Sequence, residues 1–205
     1  MPKRWMYDLL YKRGAPWEGG PRSELVSLIE SGRLNPSSTP RAIDLGCGTG
    51  ANSVYMGEHG FDVTGVDFSP VALEKARALA SQHGVSVRFI QGDLTATEIP
   101  WFDGRFDLLV DYGTLDDMKG ARRDAMAATF RRLAAPGSTF LLWCFCAERS
   151  DLPLIRFDGP SRLSGALPES EIRRLFAKEF SIERLPEPPP DSHFGCFLLT
   201  KRSEG

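Results

Sequence analysis

The sequence predicts an α/β fold: a doubly wound, mostly parallel sheet with helices on both faces and an antiparallel last strand. Short apolar segments centred near residues 43, 64, 88, 108 and 142 are mostly separated by segments of helical period. That alternation lays strands in parallel between covering helices. The last two strand-like segments, 181–185 and 194–201, are joined by a loop with no helix, so they are antiparallel partners. The chain has 205 residues, 41% hydrophobic and 25% charged, which fits one globular domain with a sizeable core.

The elements follow in order. Residues 4–12 make a short amphipathic helix and GAPWEGG a turn-rich connection. Residues 21–31 are a helix with Pro21 in its first turn and Leu25, Leu28 and Ile29 at helical spacing. Residues 41–45 are a strand, 50–59 a helix and 61–66 a strand. Ser69-Pro70 is an N-cap with proline at the first helical position. Ala72, Leu73, Ala76, Leu79 and Ala80 then share one face, and Gly84 ends that helix. Strands are expected at 85–91 and 106–111 and a helix at 119–134. Pro136-Gly137 reads as a turn before a buried strand at 139–146, and 169–180 as a helix. The arginine pairs 122–123, 131–132 and 173–174 read as solvated helix faces.

Composition narrows the function. Lys plus Arg is 25 and Asp plus Glu 27, a formal net charge of −2, so no basic excess points to a nucleic-acid or anionic-membrane partner. The longest apolar run, 140–147, is far short of the roughly 18–20 residues that span a bilayer. The N-terminus lacks the apolar core and cleavage site of a secretory signal. Cys47, Cys144, Cys146 and Cys196 show no metal-site spacing and read as free thiols in a reducing cytoplasm. No metal is expected.

The chemistry concentrates in residues 42–50, Ala-Ile-Asp-Leu-Gly-Cys-Gly-Thr-Gly, where a strand runs into three alternating glycines and then a helix. Such glycines let a backbone approach a ligand with no Cβ in the way. At the C-terminal end of a strand this is the mouth of a nucleotide-type site. The next strand ends in Asp67, seventeen residues past Gly50, where an acid can accept both ribose hydroxyls. Gly46-x-Gly48-x-x-Ala51 also loosely fits the dinucleotide fingerprint, so the loop alone leaves two cofactor classes open. Asp44 favours a ligand with an ammonium group over one with a pyrophosphate, and no Tyr-x-x-x-Lys pair occurs. Asp93 ends the third strand and can accept from an adenine amine, with Leu94 beside the ring and Phe68 offering a stacking face.

These segments, with Phe106-Asp-Leu-Leu-Val-Asp111 and Leu133-Ala-Ala-Pro-Gly137, resemble class I S-adenosylmethionine (SAM)-dependent methyltransferases over roughly residues 40–145. The resemblance implies a Rossmann-like, seven-stranded sheet with a reversed final strand and SAM as cofactor. It implies a cofactor set of Trp17, Asp44, Gly46, Cys47, Gly48, Gly50, Asp67, Phe68, Asp93, Leu94 and Asp111. Tyr7-Asp-Leu-Leu-Tyr11 and Ala15-Pro-Trp-Glu18 resemble the lead-in of thiopurine-type and heterocyclic-toxin methyltransferases, where it covers the SAM site. One domain then divides into an N-terminal cover (1–39), a SAM-binding core (40–145) and acceptor loops with the final strands (146–205).

Topology brings 111–117, 144–149 and the loop before the last strand to one face, including Asp191, Ser192 and His193. Relatives often carry histidines after the fourth strand; here Asp116 and Asp117 stand there. Asp116, Asp117 and His193 are therefore the candidate catalytic proton acceptors, with Tyr112 as a pocket residue. The long connection 148–168 reads as a lid with an apolar inner side. With Trp5, Trp17, Trp101 and Trp143, it suggests a pocket for a flat, hydrophobic small molecule. The expected activity is methyl transfer to O, N or S of such an acceptor, by a monomer or homodimer. The alternatives are a SAM-binding regulator without turnover, a macromolecular methyltransferase and an NAD(P) enzyme.

Overall fold

The computed structural model describes residues 4–96, 105–148, 165–189 and 192–203. Seven strands form one sheet: β1 (Arg41–Leu45), β2 (Asp62–Asp67), β3 (Arg88–Gln91), β4 (Phe106–Tyr112), β5 (Ala134–Phe145), β6 (Phe180–Arg184) and β7 (Phe194–Lys201). Their order is β3-β2-β1-β4-β5-β7-β6. β1 to β5 pair in parallel, and β7 runs antiparallel between β5 and β6. The helices are α1 (Arg4–Arg13), α2 (Ser23–Glu30), α3 (Ala51–Glu58), α4 (Pro70–His83), α5 (Ala121–Leu133) and α6 (Glu169–Phe176).

Strand alternation splits the core into two layers. Leu108, Val110, Leu141, Cys196 and Leu198 face one layer; Leu109, Phe140, Leu142, Phe197 and Leu199 face the other. The first layer is closed by Leu25, Leu28 and Ile29 of α2 and Met56 of α3. The second is closed by Met126, Phe130 and Leu133 of α5 and Ile172, Leu175 and Phe176 of α6. α4 starts as its sequence dictates, with the Ser69 hydroxyl accepting from the Ala72 N–H at 3.2 Å and Pro70 in the first turn.

Four local expectations change. β3 begins at Arg88, three residues later than its apolar segment. α6 ends at Phe176, because Phe180 already starts β6 and sets its ring edge-on to Phe176. Pro136-Gly137 lies within β5, not before it: Phe106 pairs with Ala134 but Leu108 with Thr139, so the extra residues bulge out of the ladder. Arg123 is buried, and its guanidinium donates to the carbonyls of Asp116 (3.1 Å) and Ala166 (2.6 Å), which replace its water. The lid expectation rests on 149–164, outside the described residues, as are Trp101 and Asp191.

The strand order places the site. β1 sits between β2 and β4, so successive connections leave it in opposite directions. A crevice opens at the carboxyl ends of the strands at such a reversal.

Candidate active site

The loop after β1 is shaped by its neighbours. The N–H groups of Gly46 and Cys47 both donate to the Val66 carbonyl, at 2.8 and 2.9 Å. Gly46 has φ +75°, and a Cβ there would stand 2.1 Å from the Thr114 hydroxyl. That hydroxyl donates to the Leu45 carbonyl at 3.1 Å, which locks the turn after β4 onto the loop. Gly50, at φ +85°, starts α3, and a Cβ there would meet the Ala76 methyl at 2.8 Å. Gly50 thus serves close helix packing and does not face the cleft, contrary to its expected cofactor role.

Two buried carboxyls flank the loop. Asp67 is 3% exposed and accepts from the N–H groups of Gly48 (2.9 Å) and Ser69 (2.8 Å). Burial lifts it to about 6 despite those donors. Asp44 accepts from the Ser53 hydroxyl at 2.6 Å, and burial lifts it to about 7. A cleft of about 370 Å³ runs past both. One half is lined by Asp44, Gly46, Cys47, Gly48, Asp67, Phe68, Asp93 and Leu94. The other is lined by Tyr112, Asp116, Asp117, Met118, Met126, Trp143, Phe145 and Phe194.

The N-terminal cover reaches the cleft through rings. Tyr7 and Tyr11 of α1, with Trp17, line it from above. The Tyr7 hydroxyl donates to Asp117 at 2.8 Å, and its ring meets Phe68 edge-on at 5.2 Å. The Trp17 indole N–H donates to the Tyr11 hydroxyl at 3.2 Å. The Lys75 ammonium holds the cover from below, donating to the Tyr11 carbonyl and pairing with Glu18 at 2.9 Å.

Two further expectations are corrected. Asp111 is fully buried and off the cleft wall. It accepts from the N–H groups of Thr114 and Leu115, both at 3.2 Å, so it shapes the turn that presses on Gly46. His193 does not line the cleft either. It is exposed, at φ 64°, its carbonyl accepts from the Cys146 N–H, and Phe194 takes the cleft position one residue on.

Asp116 and Asp117 both reach the cleft but differ. Asp116 is 5% exposed; Oδ2 accepts from the Phe145 N–H at 2.7 Å, and Oδ1 has no partner among the described residues. Burial pushes it up to about 7. Asp117 stands at the rim, engaged by Tyr7. Sequence reasoning missed Arg22, Asn52 and Thr114, which line the cleft without any local motif. Among the described residues no His, Cys, Asp and Glu cluster suits a metal ion, and no helix is long and apolar enough to cross a membrane.

Comparison with known proteins agrees with this geometry. Residues 42–137 match a methyltransferase-domain family model. The 2-heptyl-1-hydroxyquinolin-4(1H)-one methyltransferase of Mycobacteroides abscessus is 29% identical over 170 residues, covering 82% of this chain and 69% of that protein. The solved structure reported under "Conversion of a Disulfide Bond into a Thioacetal Group during Echinomycin Biosynthesis" aligns with TM-score 0.75 at 25% identity, over 98% of this chain and 93% of that one. The fold is shared with SAM-bound magnesium protoporphyrin IX methyltransferase from Synechocystis PCC 6803, TM-score 0.65 at 22% identity, over 88% and 77% of the two chains. The residues present fit SAM. The glycine loop leaves backbone room, Asp67 offers oxygens to a ribose diol, and Asp44 offers one to an ammonium. Phe68, Asp93 and Leu94 line the same cleft. Its sequence, its sheet order and this cleft make the chain a member of the class I SAM-dependent methyltransferases, with SAM as its cofactor.

Proposed function

We propose that the acceptor is a small, flat, hydrophobic molecule, aromatic or heterocyclic, methylated on an O, N or S atom. The ring-lined half of the cleft carries this reading. Trp143 stacks between Tyr112 (5.9 Å, 22°) and Phe194 (4.9 Å, 21°), and Phe145 meets Phe194 edge-on. Met118 and Met126 fill the remaining wall. Such a surface favours a planar apolar partner. The M. abscessus relative is named for a hydroxyquinolinone, an acceptor of that shape. The net charge of −2 and four free cysteines support a free small-molecule acceptor, with no nucleic-acid or membrane partner, and a cytoplasmic monomer or homodimer.

Bound SAM supplies an electrophilic sulfonium methyl. The protein's part is to align the acceptor, exclude water and, for a weak acid, take a proton. Alignment supplies up to about 7–11 kcal/mol. Tyr7, Tyr11 and Trp17 cover the cleft, and the stacked rings orient the acceptor. Asp116 is the favoured proton acceptor, since it lines the cleft, a backbone N–H fixes its Oδ2 and its buried Oδ1 has no hydrogen-bond partner among the described residues. The proton would move from the acceptor's O–H, N–H or S–H to the Asp116 carboxylate.

The test is incubation with methyl-labelled SAM and a panel of phenols, hydroxyquinolines, azoles and thiols. Label should enter a flat ring compound. Stoichiometric SAM binding with no transfer to any of them would overturn the reading. A cofactor-side prediction is independent of the acceptor. Asp67→Ala should weaken S-adenosylhomocysteine (SAH) binding about ten- to a hundredfold by calorimetry, since hydrogen bonds to a charged acceptor contribute about 1.5–3 kcal/mol.

A further inference from the structure

We infer that Glu24, which does not itself line the cleft, is a positioning residue for the acceptor: through the Trp143 indole it holds the ring stack on which the acceptor lies. The inference rests on the acceptor reading above. The stack is laid out by the sheet. Tyr112 pairs with Trp143 across β4 and β5, and Phe194 enters β7 two residues before Cys196, the partner of Trp143. The three side chains therefore share one face of the sheet, and all three line the cleft. Their planes are close to parallel, with Trp143 in the middle. Stacking alone leaves that middle ring one freedom. The χ2 torsion of an aromatic side chain has two broad wells, and turning the ring over keeps its plane. A directional contact is needed to choose between them.

Glu24 supplies that contact. The Trp143 indole has a single N–H, and it donates to Glu24 Oε1 at 3.1 Å. Turning the ring over would carry the N–H away and leave a half-buried donor unpaired, which costs more than the bond itself contributes. The carboxylate is held in its turn. Its other oxygen, Oε2, accepts from the Ser23 hydroxyl at 3.2 Å. Glu24 lies in the first turn of α2, where the helix dipole favours a negative charge. Leu25, Leu28 and Ile29 seat that helix in the core layer against which Tyr112 and Trp143 pack. With three apolar side chains anchoring α2, loss of one carboxylate should free the indole without unseating the helix. The glycine loop, Asp44 and Asp67 are held by other partners, so the cofactor half should not respond.

Steady-state kinetics and SAH calorimetry are run on wild type, Glu24→Ala, Glu24→Gln, Trp143→Phe and the double variant Glu24→Ala/Trp143→Phe. The acceptors are 4-hydroxyquinoline, phenol, imidazole and thiophenol, ring compounds of the classes in the labelling panel. Glu24→Ala should raise the acceptor KM about three- to tenfold, the effect of one lost hydrogen bond. Its kcat and SAH affinity should stay within about twofold of wild type, as expected when only acceptor binding is lost. Glu24→Gln keeps an accepting oxygen and should recover most of the loss. In the Trp143→Phe background no N–H is present, so Glu24→Ala should add less than about twofold. An unchanged KM in Glu24→Ala would overturn the inference and leave the acceptor reading standing. So would a rise of equal size in the Trp143→Phe background, since Glu24 would then act by another route. A parallel fall in SAH affinity and melting temperature would make Glu24 a structural brace of α2 and overturn it too. Methyl transfer to none of the four compounds would overturn the acceptor reading, and this inference with it.

Discussion

Gly46→Ala is expected to remove measurable cofactor binding and to lower the melting temperature. Two effects add. A non-glycine residue in the left-handed region costs about 1–2 kcal/mol, and Gly46 sits at φ +75°. The new methyl would also stand 2.1 Å from the Thr114 hydroxyl and 3.0 Å from its Cβ. Thr114 cannot turn aside freely, because its hydroxyl is bonded to the Leu45 carbonyl and its N–H to Asp111. The loop must then swing off β2, breaking the bonds of Gly46 and Cys47 to Val66. SAH affinity should fall more than about a hundredfold, two or more decades at about 1.4 kcal/mol each. The melting temperature should fall by about 2–4 °C per kcal/mol of strain. Thr114→Ala added to Gly46→Ala should restore part of the stability by opening space. Binding within about threefold of wild type in the single variant would show that the Gly46–Thr114 contact does not position the loop.

That contact also shows where sequence reasoning stops. Strand alternation, the glycine loop and the acid ending β2 are local signals, and each lands where its spacing predicts. Gly50 and Asp111 occupy the expected places along the chain, but their environments turn inward, one against Ala76 and the other under a turn. Residue spacing carries no information on that choice: Ala76, far off in the chain, decides it for Gly50, and the way the turn after β4 folds back decides it for Asp111. Arg123 is misread for the same reason: a polar helix face becomes buried once the Ala166 carbonyl docks on it. His193 lies one residue from the cleft, and a one-residue offset at a strand entry sends the next side chain in instead. Tyr7 and Tyr11 are visible only by resemblance. Their contacts to Asp117 and Trp17 depend on how α1 lies over the sheet.

Asp116→Asn should separate catalysis from stability in opposite directions. The substituted amide keeps an oxygen for the Phe145 N–H, so the backbone contact at 2.7 Å survives. The ability to take a proton does not. For a weakly acidic acceptor, kcat should fall about 10²–10⁴-fold. The wild-type rate should rise with pH through about 7, as the carboxyl ionises, and the variant should lose that limb. Stability runs the other way. The folded carboxyl holds its proton up to about 7, against about 3.9 in the unfolded chain. Its contribution is therefore fully present below about 4 and is lost as pH rises through the folded value near 7. Asp111 and Asp117 act in the same direction by repulsion, Cys144 faces the same carboxyl, and the Arg123 guanidinium opposes them. The amide that replaces the carboxyl has no charge to bury, so thermal melts at pH 5 and pH 8 should lie closer together in the variant, with the gain at pH 8. Some slope should persist, because Asp44, also near 7, has the same sign. A variant that keeps the activity limb near pH 7 would assign the proton to another group. A variant as unstable at pH 8 as wild type would show that Asp116 is not the carboxyl whose ionisation weakens the fold. If both halves hold, an uncompensated carboxylate at the cleft wall weakens the empty fold and is kept because the reaction uses it.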